Sequence, residues 1–162
     1  MHTLIALMLS AAPLVTSPSA TPPPTATAHN ITVTAPQGFV RSKDGTTFVF
    51  SSPGKDAQMS IDFGEKDKAV DAQACLDEVV SKVAAGAKEN QETYAATVID
   101  GQPAVTQTTF TEDRKHRQRR LIGCNGKSFF LLDWVELTHA GPKYEKTFTQ
   151  LLMGIKYAQP AK

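Results

Sequence analysis

The sequence predicts an α+β fold in which an antiparallel sheet is flanked by two helices, and three observations predict it. Residues 100–138 read as three consecutive strands joined by turns. Near position 70 the apolar spacing changes from a period of two to one of about 3.6, the mark of an amphipathic helix. A second stretch of helical spacing closes the chain at 142–155.

The elements follow in order. Ile31 and Val33 alternate with polar residues over 30–35, a strand stopped by Pro36 and Gly38, and Phe39 packs beneath the turn that follows. Strands at 46–51 and 57–63 come after Asp44-Gly45 and Pro53-Gly54. Phe48 and Phe50 share one face, as do Met59, Ile61 and Phe63, so this meander buries at least one side. The helix at 70–88 gathers Ala72, Cys75, Leu76, Val79, Val80, Val83 and Ala87 on one stripe, with Asp67 or Asp71 to cap it. A lead-in strand at 94–99 reaches Asp100-Gly101, a two-residue hairpin signal. Strand 102–111, a polar reversal at 112–115, and a strand through Arg119, Leu121 and Ile122 to Cys124 come next. After Asn125-Gly126, residues 128–135 are apolar at nearly every position, which requires both faces of that strand to be covered. Pro142 opens the last helix, whose stripe is Tyr144, Phe148, Leu151, Leu152 and Ile155.

Around this domain, assigned to 30–158, the ends read differently. Residues 4–15 form an apolar run too short to span a bilayer, where about 20 residues are needed, and suited to a signal peptide over 1–20. Residues 21–29, rich in Pro, Thr and Ala, read as an extended spacer, and 159–162 as a tail. The expectation is a periplasmic or secreted protein without a transmembrane segment. Its two cysteines, Cys75 and Cys124, read first as a disulfide in an oxidising compartment, with two buried thiols as the other reading.

A formal charge of +1 argues against binding nucleic acid through its phosphates. The charge is unevenly spread, with Arg114, Lys115, Arg117, Arg119 and Arg120 within seven positions. These five are the candidate binding residues, for an unidentified protein partner of acidic character. Strand alternation opposes a single patch, since Arg117 and Arg119 point one way and His116 and Arg120 the other; the bland reading is a solvated hairpin paired with Glu112 and Asp113. Asp133 and Glu136 sit in the most apolar strand but on opposite faces, so they cannot act together on one bond. His29, His116 and His139 have no ligand-like spacing, and no nucleophile elbow, phosphate loop or dinucleotide fingerprint occurs. No catalytic residue, metal or cofactor is expected.

The order of elements resembles the PsbP-like fold, shared with DcrB-like periplasmic proteins. The residues that carry the resemblance are Ile99-Asp100-Gly101-Gln102-Pro103-Ala104, Arg117-Gln118-Arg119, Gly126-Lys127-Ser128-Phe129, and Tyr144, Phe148, Leu151 and Ile155 in the last helix. It implies an α/β/α sandwich serving as a non-enzymatic accessory or protein-binding module of the bacterial envelope. The rival expectations are a small-ligand or lipid carrier with a pocket between helix and sheet, and a hydrolase built on Asp133.

Overall fold

Strand β9 (Ser128–Leu137) lies at the centre of the protein, paired with β5 (Ala57–Glu65) on one side and β8 (His116–Cys124) on the other. The computed structural model describes residues 21–44 and 46–158, so the expected leader at 1–20 and tail at 159–162 lie outside the described residues. Outward from β5 come β4 (Thr47–Ser51) and β3 (Val40–Asp44); outward from β8 come β7 (Gln102–Phe110) and β6 (Ala95–Ile99). The result is a seven-stranded antiparallel sheet. A second sheet of three short strands, β1 (Thr25–Ala28), β2 (Ile31–Thr34) and β10 (Ile155–Tyr157), brings the two ends of the domain together.

Two helices pack on opposite sides of the large sheet. Helix α1 (Ala72–Ala87) starts at Asp71, whose carboxylate accepts from the backbone N–H of Gln73 and Ala74, and ends at Lys88 in the left-handed region. Its Cys75, Leu76, Val79 and Val80 pack with Ile122 and Cys124 of β8 and against Val105, Phe129 and Leu131. Helix α2 (Gly141–Met153) lays Tyr144, Phe148 and Leu151 on the other face, over Phe130, Leu132 and Trp134.

β9 meets this environment residue by residue. Phe130, Leu132 and Trp134 are fully buried on the α2 face, whereas Phe129, Leu131, Asp133, Val135 and Leu137 alternate with them at intermediate exposure. The expectation that both faces are covered therefore holds completely on one side only. On the other, α1 covers Phe129 and Leu131 but not Val135 and Leu137, which stay partly exposed, Leu137 packing against the larger core cluster.

The expected spacer at 21–29 is corrected, because residues 25–28 form β1, paired Ala26↔Val33, and Ala26 is fully buried. A small apolar side chain between threonines suits a strand with one dry face. β3 and β10 were likewise not expected; Ile155, read as the end of the last helix, belongs to β10 instead. Asp100 and Gly101 both take positive φ (50° and 78°), as a two-residue hairpin with the strands' twist requires. The Asp100 carboxylate then accepts from Tyr157 N–H and Lys156 Nζ, both at 2.9 Å, and so fastens β10 to the large sheet.

The sulfurs of Cys75 and Cys124 lie at bonding distance, with Cα atoms 6.1 Å apart and a sequence separation of 49. Closing a loop of that length stabilises a fold by about 4 kcal/mol on the chain-entropy view. Replacing both cysteines by serine should lower the urea midpoint by an amount corresponding to about 2–4 kcal/mol, and a reductant should have the same effect on the wild type and none on the double variant.

Candidate functional site

Strand alternation separates the arginine run into two internal clusters and an exposed tip. Arg117 and Arg119 point toward α2. Arg117 Nε donates to Glu136 Oε1 at 2.5 Å, Arg119 Nη2 to the same oxygen at 3.1 Å and to Glu145 Oε1 at 2.7 Å, and Trp134 Nε1 to Glu136 Oε2 at 2.8 Å. The Arg119 guanidinium lies over the Phe148 ring, 4.6 Å from its centroid. The side chain of Glu136 has no exposure at all, so its charge is tolerable only because two guanidiniums and an indole N–H meet it. Hydrogen bonds from Arg119 and then Arg117, working against burial, hold the Glu145 carboxyl below its ordinary range.

Arg120 faces the α1 side. It donates to both oxygens of Asp133 (2.8 and 3.2 Å) and to Glu89 (3.1 and 3.2 Å), which also accepts from Tyr94 Oη at 2.6 Å. At the exposed tip, the carbonyls of Arg114 and Lys115 accept from Thr138 Oγ1 and Thr138 N–H, at 2.7 and 2.8 Å. The five candidate binding residues therefore do not form one docking surface. Three hold the sheet to its helices or flanking turn, through Glu136, Asp133, Glu145 and Glu89. Among the described residues the local acids named in the sequence contribute one ion pair, Lys115 to Asp113 at 3.4 Å. Asp133, the basis of the hydrolase reading, is likewise taken up: its oxygens accept from Arg120 and from Gln118 Nε2 (3.2 Å). Cys124 is spent in the pairing with Cys75.

The carrier reading expected a pocket between helix and sheet without placing it; the structure has an open groove of about 650 Å³ between α1 and the connection at 65–70. Val70, Val79, Val83 and Phe129 give it an apolar lining. The connection is pinned by the turn between β8 and β9: Val70 N–H donates to Gly126 O (3.0 Å), Lys66 N–H to Lys127 O (2.8 Å), and Lys127 Nζ to the carbonyls of Lys66 (2.6 Å) and Asp67 (3.2 Å). Gly126 has φ +91°, and a Cβ there would stand 2.3 Å from Val70 O, so the position admits only glycine. Phe129 lies flat across its cross-strand neighbour Gly64, where a Cβ would come within 2.1 Å of the ring.

Charges rim this apolar lining. Glu78 accepts from Lys66 and, at 2.6 Å, from Lys82; these bonds, that from Lys66 foremost, lower its carboxyl to about 2. Lys127 and His29 lower the neighbouring Glu65. Lys68 stands exposed at the rim with no ion-pair partner among the described residues. Such a site offers apolar contact flanked by fixed charge, which suits noncovalent capture. Among the described residues no three His, Cys, Asp or Glu side chains converge as a metal site requires, and no helix is long and apolar enough to cross a membrane.

No protein-family model matches this sequence, and no curated protein does. The coordinates superpose on the solution structure of cyanobacterial PsbP (CyanoP) from Synechocystis sp. PCC 6803 with a TM-score of 0.56 and 14% identity, covering 92% of this chain and 98% of that one. The fold is PsbP-like. A crystal structure from Bacteroides thetaiotaomicron VPI-5482, at 1.50 Å resolution, matches with a TM-score of 0.61 and 12% identity over 82% of this chain and 47% of that protein. The chain thus spans about half of the Bacteroides protein. At these identities the likeness is one of fold.

Two expectations follow for the PsbP-like domain. Gly126→Ala should displace the 65–70 connection and lower stability by roughly 1–3 kcal/mol, measured by denaturant melt. Glu145 and Glu78 both have folded pKa values below the ordinary 4.5, so each contributes stability that is full above 4.5 and lost as pH falls through its folded value. The thermal midpoint should be level down to about pH 5 and then decline toward pH 2, less steeply in Glu145→Gln; identical acid limbs in the two proteins would contradict the assignment.

Proposed function

We propose that this protein is an exported, non-enzymatic accessory module of the bacterial envelope that binds a partner protein in the groove between α1 and the 65–70 connection. The observation that carries the reading is the groove itself: Val70, 44% exposed, stands at the lip of an apolar lining that continues inward through Val79, Val83 and Phe129. An exposed apolar surface rimmed by charge is what a transient protein interface presents. The paired cysteines suit an oxidising compartment, and the apolar run at 4–15 suits a route there. Attraction of an acidic partner by the arginine run is not part of this reading, since Arg117, Arg119 and Arg120 are already paired internally.

A second reading, a carrier of a small apolar ligand or lipid, is favoured by size, because a groove of about 650 Å³ falls within the range of about 300–1,000 Å³ typical of ligand pockets.

A photocrosslinking residue placed at Val70 of the full chain, in the producing cell, should give a discrete protein adduct, whereas the same residue at Met153, 63% exposed on α2, should not. Val83→Glu should abolish the adduct while the purified protein keeps a cooperative thermal transition. Equal labelling from both positions, or none from either, would refute the protein-binding reading. Co-purified lipid that is lost in Val83→Glu would establish the carrier instead.

A further inference from the structure

The seven-stranded sheet ends in β3 on one side and β6 on the other, and the two edges differ. At β3, Arg41 donates to the Thr25 carbonyl at 2.7 Å and lies over Phe48, which ties that edge to the start of the small sheet at one point. Among the described residues β6 has no such tie. Its five residues, Ala95-Ala96-Thr97-Val98-Ile99, contain no charge, proline or glycine, the devices by which proteins ordinarily guard an open edge.

The register shows which groups that edge presents. The two-residue turn at Asp100-Gly101 makes Ile99 and Gln102 a hydrogen-bonded pair, and alternation then directs Thr97 and Ala95 toward β7 as well. Ala96 and Val98 must turn their N–H and C=O groups outward, opposite Val105 and Pro103, and neither backbone has a partner among the described residues. Ala96 is exposed and Val98 is 67% exposed, large for an apolar side chain in a sheet. Tyr94 N–H is already bonded to Gln91 O at 3.1 Å, which closes the edge on that side.

These free groups are self-complementary. An antiparallel strand centred on Thr97 sets Ala96 of one copy against Val98 of the other, twice over, and satisfies all four N–H and C=O pairs. A register shifted by two residues one way would set Val98 against the occupied Tyr94, and shifted the other way would set Ala96 against Asp100 in the positive-φ turn. We propose that β6 pairs antiparallel with β6 of a second copy of this chain, about a two-fold axis through Thr97, to give a continuous sheet across a homodimer. The apolar Val98 side chains pack beside Ala96 of the other copy, and a formal charge of +1 per chain opposes association little. Edge pairing of two five-residue strands buries a modest area, so the dimer is concentration-dependent. It does not involve the groove, and the two readings stand or fall separately.

Sedimentation velocity of the full chain over a concentration series reaching about 1 mM tests this. The wild type should associate to a dimer. Ala96→Pro removes one outward N–H per copy at a position where an edge strand tolerates proline, and should weaken association at least about tenfold. Val98→Lys, a surface change, should do the same with the thermal midpoint intact. The two Thr97 residues form a non-hydrogen-bonded pair, in which Cα atoms lie about 4.5 Å apart. Thr97→Cys should therefore give a covalent dimer on mild oxidation, and Ala95→Cys should not. A monomer throughout the series would overturn the proposal. So would a dimer indifferent to both substitutions, or cysteine crosslinking without preference for position 97.

Discussion

The rest of the molecule depends on the position of β9 as an interior strand with neighbours on both edges. Its backbone groups are committed to β5 and β8, and its side chains must be matched on two faces by elements distant in sequence. On the α2 face the match is made around one indole. Trp134 has Phe39, Tyr144 and Phe148 within 5.5–5.7 Å, centroid to centroid, while its N–H is taken by Glu136. Such aromatic pairs add about 1 kcal/mol each to the area they bury, and three of them, two edge-on and one tilted, converge on this ring. The position of α2 follows from that cluster more than from any helix propensity.

The α1 face is solved differently. A helix with a narrow apolar stripe covers β8 and the first half of β9, and the Cys75–Cys124 pairing ties it there. The remaining half of that face is left to Asp133, with Arg120 and Glu89 arranged over it. Burial of Glu136 on one side and half-burial of Asp133 on the other impose the same demand, a guanidinium delivered from the adjacent strand. β8 supplies it in the only way an antiparallel neighbour can, by placing Arg117 and Arg119 on one face and Arg120 on the other. Three of the five cations in a run that looks like a surface feature are thereby consumed as internal structure.

With those charges neutralised in place, the surface that remains for recognition is where cover is incomplete. The groove exists because the 65–70 connection is held off α1 by the β8–β9 turn, through the Gly126 and Lys127 contacts, while Phe129 is pressed flat over Gly64. The lining is apolar because both α1 and β9 extend their core stripes slightly past the point where they touch.

Periodicity and turn chemistry carried most of the architecture in the sequence: the 3.6 spacing of Cys75, Leu76, Val79 and Val80, the positive-φ turns at Asp100-Gly101 and Gly126, and the unbroken apolar run at 129–132 are local signals, set by the chain's own stereochemistry. An aspartate cap, at Asp67 or Asp71, and the opposite faces of Arg117 and Arg120 were legible for the same reason; that Asp71 is the one used was not. Strand β1 was not, since Thr-Ala-Thr-Ala carries little apolar signal and becomes a strand only because β2 gives it a partner. Nor were the ion pairs that join distant residues, Arg120 to Glu89 across 31 positions and Lys143 to Asp56 across 87, or the groove built from segments some 60 residues apart. Local conformation is written in neighbouring residues, but which charges meet and where the surface stays open depends on how distant strands align, and only the folded sheet decides that.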